Sequence, residues 1–322
     1  MTGDRLAQDI YEAALTSGFD DCGVIAIGDM DGYGERLRKR MEDVPTSRGF
    51  YERLAGMADV RERFPWARSL VICATWLGKY RYPAPLRGMY AKAFFLSPEG
   101  DRSNGPYLKK VAFLRWFADR GIRCEGGTQT PYGHQQVGSL RHAAIMAGIG
   151  LIRKNNFLYG EKGSYLELDG YVIDRDCRLY QERDLRPCPE GCALCQTGCP
   201  TGALSAPYTM DPTTCVSLCT TFGQGRVPSD LEEERFGTWL VGCDACQDCC
   251  PFNRHDWDQG EDFPGLEGLL ALLSPEGLLA ATDEELIRKV CPRTVDHVPP
   301  EQVGTLRVNA ERVLRNRRRA AL

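Results

Sequence analysis

The residues of this chain with the clearest chemistry are its cysteines, and ten of the fifteen lie between residues 188 and 251. They form two short motifs, Cys188-x3-Cys192-x2-Cys195-x3-Cys199-Pro200 and Cys243-x2-Cys246-x3-Cys250-Pro251, with Cys215 between them. Gaps of two or three residues let the backbone curl around a metal centre, and thiolates are the ligands that soft centres prefer. The spacing therefore predicts metal binding.

A cysteine run that ends in Cys-Pro is typical of bacterial ferredoxins, in which the last cysteine of one run ligates the other cluster. Crossed ligation predicts two 4Fe–4S clusters, the first held by Cys188, Cys192, Cys195 and Cys250, and the second by Cys199, Cys215, Cys243 and Cys246. Cys219 and Cys249 are left over and are predicted to be packing residues. The first gap has one residue more than usual, and Gly191 within it tolerates the positive φ that absorbs the insertion.

Two other uses of these cysteines are less favoured. Disulfides are typical of secreted proteins, whereas the start of this chain, MTGDRLAQDI, has no signal-peptide pattern. Structural zinc closes with four ligands and gains nothing from two Cys-Pro endings. We therefore favour iron–sulfur clusters, with zinc as the alternative.

The composition predicts a soluble globular protein in a reducing cytoplasm. The 322 residues are 43% hydrophobic and 26% charged, and no apolar run is long enough to span a bilayer. A net charge of −4 does not favour nucleic acid as a partner. The exception lies between Arg307 and Arg319, where six arginines stand against one acid, Glu311. This run predicts either a solvated helix face or a contact with a polyanion.

Helical and strand patterns alternate before the cysteines, which predicts an α/β fold. Residues 4–17 have the apolar spacing of an amphipathic helix, and residues 68–77 form a strand apolar enough to be buried on both faces. Ser274-Pro275 and Thr282-x-x-Glu285 are start signals for two helices after the cysteines. We predict three domains: an α/β domain (1–180), a ferredoxin-like module (181–260) and C-terminal helices (261–322).

Three further segments carry a family resemblance. They are residues 64–72 (FPWARSLVI), 147–156 (AGIGLIRKNN) and 163–166 (GSYL). Together with the order of the two cysteine motifs, they resemble the epoxyqueuosine reductase family, which is cobalamin-dependent, carries two 4Fe–4S clusters and is related to reductive dehalogenases. The resemblance implies a nitroreductase-like, cobalamin-binding core with a ferredoxin-like two-cluster module packed on it.

The resemblance also implies contacts to cobalamin. A corrinoid needs a wide cleft with backbone donors, and glycine-rich loops at 126–133 and 148–150 are candidates for its wall. The predicted contacts come from Gly148, Gly150, Lys154, Asn155 and Ser164. Ordinary loop and strand-edge capping is an equal alternative for the last three. No histidine ligand to cobalt is expected, because none of the four histidines has an aspartate two positions before it.

The implied reaction passes electrons through the clusters to cobalt, which reduces a substrate on its upper face while a nearby acid supplies a proton. Family members have an aspartate for this role, but no Asp or Glu lies between Gly127 and Met146 here. His134 and Tyr132 are the predicted catalytic residues, and His142 is predicted to be structural. The expected partners are a low-potential ferredoxin or flavodoxin and a small-molecule or modified-nucleoside substrate. The arginine-rich tail keeps tRNA possible as a substrate, but we do not favour it because the protein is acidic and ends soon after the first C-terminal helices.

Two other functions fit the same features. One is an electron-transfer protein that reduces a separate corrinoid protein and binds no substrate itself. The other is a reductive dehalogenase-like enzyme with Tyr132 as its proton donor.

Overall fold

A computed structural model describes residues 3–93, 105–126, 137–295 and 297–321. The helices are α1 (Gly3–Ser17), α2 (Tyr33–Asp43), α3 (Arg48–Glu52), α4 (Val60–Arg63), α5 (Gly105–Ala118), α6 (Leu140–Met146), α7 (Leu194–Thr197), α8 (Val216–Cys219), α9 (Ala245–Asp248), α10 (Pro275–Ala280), α11 (Asp283–Lys289) and α12 (Gly304–Ala320). The strands are β1 (Asp21–Ala26), β2 (Ser69–Trp76), β3 (Tyr80–Arg81), β4 (Cys124–Gly126), β5 (Leu151–Ile152), β6 (Leu158–Tyr159), β7 (Leu166–Ile173) and β8 (Glu261–Asp262). Within these residues, no helix is both long enough and apolar enough to cross a lipid bilayer.

The chain forms two compact units, each made of two segments. The first unit contains Met1–Trp76 and Leu108–Glu190, and the second contains Leu77–Tyr107 and Gly191–Leu322. The division into three domains (1–180, 181–260 and 261–322) stays a prediction.

The first unit is built on a four-stranded sheet with the strand order β1-β2-β7-β4. Every neighbouring pair in it is antiparallel, with Cys22 opposite Cys73, Val71 opposite Tyr171 and Cys124 opposite Ile173. The predicted mixture of helices and strands is therefore present. Neighbouring strands of the sheet run in opposite directions, and β2 and β7 pair with each other along their whole length.

Both faces of this sheet are buried, as the apolar sequence of β2 predicts. On one face, Val71 and Cys73 pack against α1 and against Phe113 and Phe117 of α5. On the other face, Leu70, Ile72 and Ala74 pack with α6 residues including Leu140 and Ala143. Successive side chains of a strand point to opposite faces, so a strand covered on both sides must be apolar throughout.

The segment from Leu77 to Tyr107 uses its aromatic residues to pack the second unit. Tyr80, Tyr82 and Tyr90 are all buried. The Tyr90 hydroxyl donates to the Leu273 carbonyl at 2.8 Å, and the Tyr82 hydroxyl donates to the Tyr90 carbonyl at 3.2 Å. These tyrosines therefore anchor the described part of the segment through both their rings and their hydroxyls.

The C-terminal helices begin where their capping residues predict. The Ser274 hydroxyl accepts from the Gly277 backbone N–H at 3.0 Å at the start of α10. The Thr282 hydroxyl accepts from the Glu285 N–H at 3.2 Å at the start of α11. Each cap satisfies a backbone donor that the first turn of a helix leaves without an acceptor.

The arginine-rich run forms α12, and most of its charge is neutralised within the second unit. Acidic side chains pair with Arg307, Arg315, Arg317 and Arg319, the partners being Asp283, Glu233, Glu276 and Glu234 respectively. Arg312 is buried, donates to the Trp239 carbonyl and to Asn309 Oδ1, and lies over the Phe236 ring. Arg312 thus docks α12 within the second unit, which neither sequence interpretation anticipated. Arg317, Arg318 and Arg319 are exposed, as the solvated-face interpretation predicts.

Candidate functional site

The structure brings together the four cysteines predicted to hold the second cluster. Cys199 follows α7, Cys215 caps the start of α8, and Cys243 and Cys246 lie just before and within α9. Burial raises the pKa of Cys246 well above its ordinary value, and the nearby thiols of Cys243, Cys215 and Cys199 raise it further. Segments far apart in the sequence therefore place four thiols in one neighbourhood.

Backbone donors surround two of these thiols. Burial raises the pKa of Cys215, while hydrogen bonds from the backbone N–H groups of Ser217 and Leu218 act in the opposite direction. Burial likewise raises the pKa of Cys243, against a hydrogen bond from the backbone of Ala245. Thiolates, not thiols, bind metals, and N–H groups directed at sulfur are a main control of iron–sulfur clusters. A set of four soft donors with such N–H groups fits a 4Fe–4S cluster.

Three more cysteines meet where α7 packs against α9. The Cys249 thiol donates to the Leu194 carbonyl at 3.4 Å. Burial, with the thiols of Cys195 and Cys250 nearby, raises the pKa of Cys249 to about 11. Gly198 permits this approach, because a Cβ on it would lie 3.0 Å from the Cys249 sulfur. Cys195 and Cys250, both predicted ligands of the first cluster, are therefore brought to one place together with the extra thiol.

The insertion in the first cysteine motif is accommodated at the predicted residue. Gly191 has φ +71°, a left-handed conformation that side-chain-bearing residues rarely adopt. Cys188 and Cys192, on either side of it, are half-buried. Across the described ranges, no three His, Cys, Asp or Glu side chains are already arranged to hold a single metal ion, and the ligand sets stay a prediction.

The two glycines predicted to line a corrinoid cleft have packing roles in the first unit. Gly148 has φ +75°, and a Cβ on it would lie 2.1 Å from the Gln181 carbonyl oxygen. A Cβ on Gly150 would lie 2.7 Å from the Tyr159 carbonyl oxygen, where β5 meets β6. Neighbouring backbone therefore requires glycine at both positions.

The three polar residues predicted to contact cobalamin are Lys154, Asn155 and Ser164, and the first two form hydrogen bonds within the first unit. The Asn155 amide donates to the Tyr159 hydroxyl at 2.8 Å, and its oxygen accepts from the Phe157 N–H at 3.3 Å. The Lys154 ammonium donates to the Pro189 carbonyl at 3.3 Å. Ser164 is buried just before β7. The contacts of Asn155 favour the capping interpretation.

The predicted catalytic residues Tyr132 and His134 lie outside the described residues. His142, predicted to be structural, is buried in α6. Its Nε2 lies 3.2 Å from the Asp29 carbonyl oxygen. Burial, followed by the nearby positive charge of Arg36, lowers the pKa of His142, so the neutral imidazole is the form that the fold accommodates.

Sequence reasoning missed a buried polar cluster between β7 and the start of α5. The Lys110 ammonium lies 2.6 Å from Asp169 Oδ1, and the side chains are 7% and 0% exposed. Lys109 donates to the Thr75 hydroxyl at 2.5 Å, and Glu167 is also buried. The available signal was the pair Glu167 and Asp169, two residues apart on one face of an otherwise apolar strand.

Comparison with known proteins first gives the class of protein. The family model for the 4Fe-4S double cluster binding domain matches residues 188–253, a range that contains all eight predicted ligands. With the thiol groups described above, this match defines a double-cluster iron–sulfur protein.

Relatives and solved structures then narrow the class. Epoxyqueuosine reductase of Escherichia coli (strain K12) is 34% identical over 163 residues, which are 47% of this chain and 41% of that protein. The chain therefore matches less than half of that relative's length. Epoxyqueuosine reductase of Gloeobacter violaceus (strain ATCC 29082 / PCC 7421) is 29% identical over 257 residues, 77% of this chain and 76% of that protein.

The fold is also similar to that of solved epoxyqueuosine reductases. A crystal structure of epoxyqueuosine reductase with an epoxyqueuosine-modified tRNA-Tyr stem loop has a TM-score of 0.74 and 24% identity, and it covers 98% of this chain and 83% of that chain. In sequence, this chain is similar to epoxyqueuosine reductases, and the resemblance seen in the sequence is confirmed.

Proposed function

We propose that this protein is an iron–sulfur oxidoreductase that reduces a modified nucleoside with electrons from two 4Fe–4S clusters. Cys188, Cys192, Cys195 and Cys250 hold the first cluster, and Cys199, Cys215, Cys243 and Cys246 hold the second. The observation that carries the proposal is the convergence of the second set of thiols within the range matched by the double-cluster domain. The clusters give the chain a one-electron path toward its substrate.

The first unit is proposed as a nitroreductase-like core that binds cobalamin, by resemblance to the epoxyqueuosine reductases. Cobalamin, when bound, would supply a redox-active cobalt centre. Gly148, Gly150, Lys154, Asn155 and Ser164 stay the proposed contacts. Backbone packs closely against Gly148 and Gly150, so their place in a cobalamin-binding wall rests on the resemblance alone. Lys154 fits as a donor to an amide arm, since its long side chain is only half-buried.

A nucleoside carried in a tRNA stem loop is the substrate class that we now favour. The solved structure with a modified tRNA-Tyr stem loop supports this choice, in place of the expectation from net charge that tRNA is a poor partner. The arginines of α12 are not the proposed contact, because acids of the second unit neutralise most of them. Tyr132 and His134 are the proposed proton donors, and a low-potential ferredoxin or flavodoxin in the cytoplasm is the proposed electron donor.

Anaerobic purification followed by visible spectroscopy and a turnover assay tests the proposal. The reductase should carry corrinoid absorption bands beside those of the clusters, and should convert an epoxyqueuosine-containing tRNA stem loop when a chemical reductant is supplied. The His134→Gln and Tyr132→Phe variants should keep both chromophores, and at least one should lose turnover.

Clusters without a corrinoid, even after reconstitution with cobalamin, would contradict the reductase. That result would favour the alternative of an electron-transfer protein serving a separate corrinoid protein. Halide release from organohalides, with no conversion of the stem loop, would instead indicate the reductive dehalogenase-like alternative.

A further inference from the structure

A buried lysine contacts the loop that carries two proposed ligands of the second cluster. The Lys92 ammonium lies 3.2 Å from Asp244 Oδ2 and 2.8 Å from Asp248 Oδ1. The backbone N–H of Lys92 donates to the same Asp244 oxygen at 2.8 Å. The side chains of Lys92 and Asp244 are only 4% and 0% exposed. Asp244 directly follows Cys243. Lys92 is therefore bonded to the loop from Cys243 to Cys246 by two donors, its backbone N–H and its ammonium group.

Asp244 also links Lys92 to other residues of the loop through hydrogen bonds. Its second oxygen accepts from the Gln247 side-chain amide at 3.0 Å, and the Gln247 carbonyl accepts from the Asn253 amide at 3.0 Å. Gln247 and Asn253 are buried as well. A fully connected buried network of this kind fixes one conformation, whereas a partly broken one leaves costly polar groups without partners.

Aromatic rings enclose the lysine from another side. Its ammonium lies 5.9 Å from the centroid of the Tyr82 ring and 5.2 Å from that of the Trp257 ring. Burying a charged group is unfavourable unless partners compensate it, and replacing such pairs by apolar residues often stabilises a protein. Stability alone therefore does not explain a lysine at this buried position.

The positive charge of Lys92 gives it a role beyond stability, because it affects the reduction potential of a nearby cluster. The three side chains Lys92, Asp244 and Asp248 carry +1, −1 and −1, a sum of −1, whereas the two aspartates alone would carry −2. A cluster becomes more negative when it accepts an electron, and its reduction potential depends on nearby charge and on hydrogen bonds to its sulfurs. A buried cation close to the ligand loop favours the reduced cluster, because the interior screens charges weakly.

We propose that Lys92 is the positioning residue for the second 4Fe–4S cluster: it holds the loop from Cys243 to Cys246 in place through Asp244 and raises the reduction potential of that cluster. The proposal rests on the proposed function, since it requires that Cys199, Cys215, Cys243 and Cys246 hold a cluster.

An anaerobic redox titration of the holoprotein, followed by electron paramagnetic resonance, tests this assignment. In Lys92→Met, the midpoint potential of one cluster should shift to a more negative value while the other stays unchanged. Lys92→Arg should restore most of the wild-type potential. The control is Arg87→Met, which removes an ion pair with Asp258 (2.7 Å) whose side chains are 31% and 67% exposed. This pair also joins Leu77–Tyr107 to the segment after Cys250. Its two potentials should match those of the wild type.

A second variant covers the case in which Lys92→Met does not fold. Asp244→Asn keeps a side chain of the same shape but removes one negative charge, so the potential of the same cluster should shift to a more positive value. Wild-type potentials in Asp244→Asn, or in a folded Lys92→Met, would overturn the role of Lys92. A wild-type protein that contains no iron would instead overturn the proposed function, so the two failures are distinguishable.

Discussion

Arg315 and Glu233 form a two-pronged ion pair in which Arg315 Nε and Nη2 donate to the two carboxylate oxygens at 3.0 and 2.9 Å. The hydrogen bonds from Arg315 hold the pKa of Glu233 below its usual value, and the nearby positive charges act in the same direction, whereas burial acts against them. Planar guanidinium groups suit such paired contacts better than ammonium groups do. The composition of α12, rich in arginine and poor in lysine, is therefore explained by contacts within the second unit.

The most buried arginine of this helix should matter most for stability. Arg312→Met would leave the Trp239 carbonyl and Asn309 Oδ1 without this donor, and we expect a loss of about 3 kcal/mol in the free energy of unfolding. Arg318→Met changes an exposed residue of the same helix and should cost less than about 0.5 kcal/mol. Urea unfolding of both variants checks the difference, and equal losses would contradict the docking role of Arg312.

Cys246 of α9 and Cys219 of α8 should respond differently to substitution. Cys246→Ser removes a proposed ligand, so the iron content should fall by about half, from about eight to about four atoms per chain. Cys219 is also close to Cys215, but its thiol donates to the Thr213 carbonyl at 3.4 Å. Cys219→Ser should therefore keep the full iron content. Iron loss in Cys219→Ser with none in Cys246→Ser would reverse the ligand assignment.

Gly148 should not tolerate a side chain. Gly148→Ala would bring a Cβ to 2.1 Å from the Gln181 carbonyl oxygen, and we expect a loss of about 3 kcal/mol or more in unfolding free energy. Gly121 has φ +61° but open space around its Cβ position, so Gly121→Ala isolates the backbone term, about 1 kcal/mol. Thermal unfolding of the two variants separates packing from backbone strain, and similar losses would show that packing at Gly148 is loose.

His142 predicts a dependence of stability on pH. Its pKa is lowered in the folded protein, mainly by burial, and across the described residues its Nδ1 has no hydrogen-bond partner. The unfolded chain, with an imidazole pKa of about 6.5, therefore binds a proton that the folded chain resists as the pH falls. The neutral imidazole therefore makes its full contribution to folding stability above about pH 6.5, and this contribution is lost as the pH falls below that value.

Replacing this histidine should remove that dependence. Between pH 8 and pH 5.5, we expect the wild type to lose about 1 kcal/mol more unfolding free energy than His142→Gln loses. Urea titrations at the two pH values measure the difference. A variant that loses as much stability as the wild type would contradict the buried neutral imidazole.

The sequence predicted those features that local spacing determines. The apolar period of residues 4–17 became α1, the apolar run at 68–77 became the doubly covered strand β2, and Ser274 and Thr282 cap their helices. The grouping of Cys199, Cys215, Cys243 and Cys246 was also predictable, because metal chemistry restricts which spacings work.

Features that depend on distant parts of the chain were not predictable in the same way. Antiparallel pairing of β2 with β7 joins segments about a hundred residues apart, and alternation of helices and strands says nothing about strand direction. Lys92 and Asp244 are 152 residues apart, and neither stands out in composition. The four acids that pair with arginines of α12 lie in three separate places before it, so the net charge of the tail alone was misleading.

The most direct test of the account is the iron and sulfide content of anaerobically purified protein. Two 4Fe–4S clusters predict about eight iron and about eight sulfide atoms per chain, with negligible zinc. Stoichiometric zinc without sulfide, or a maximum of about four iron atoms after full reconstitution, would contradict the two clusters on which the proposed reductase depends.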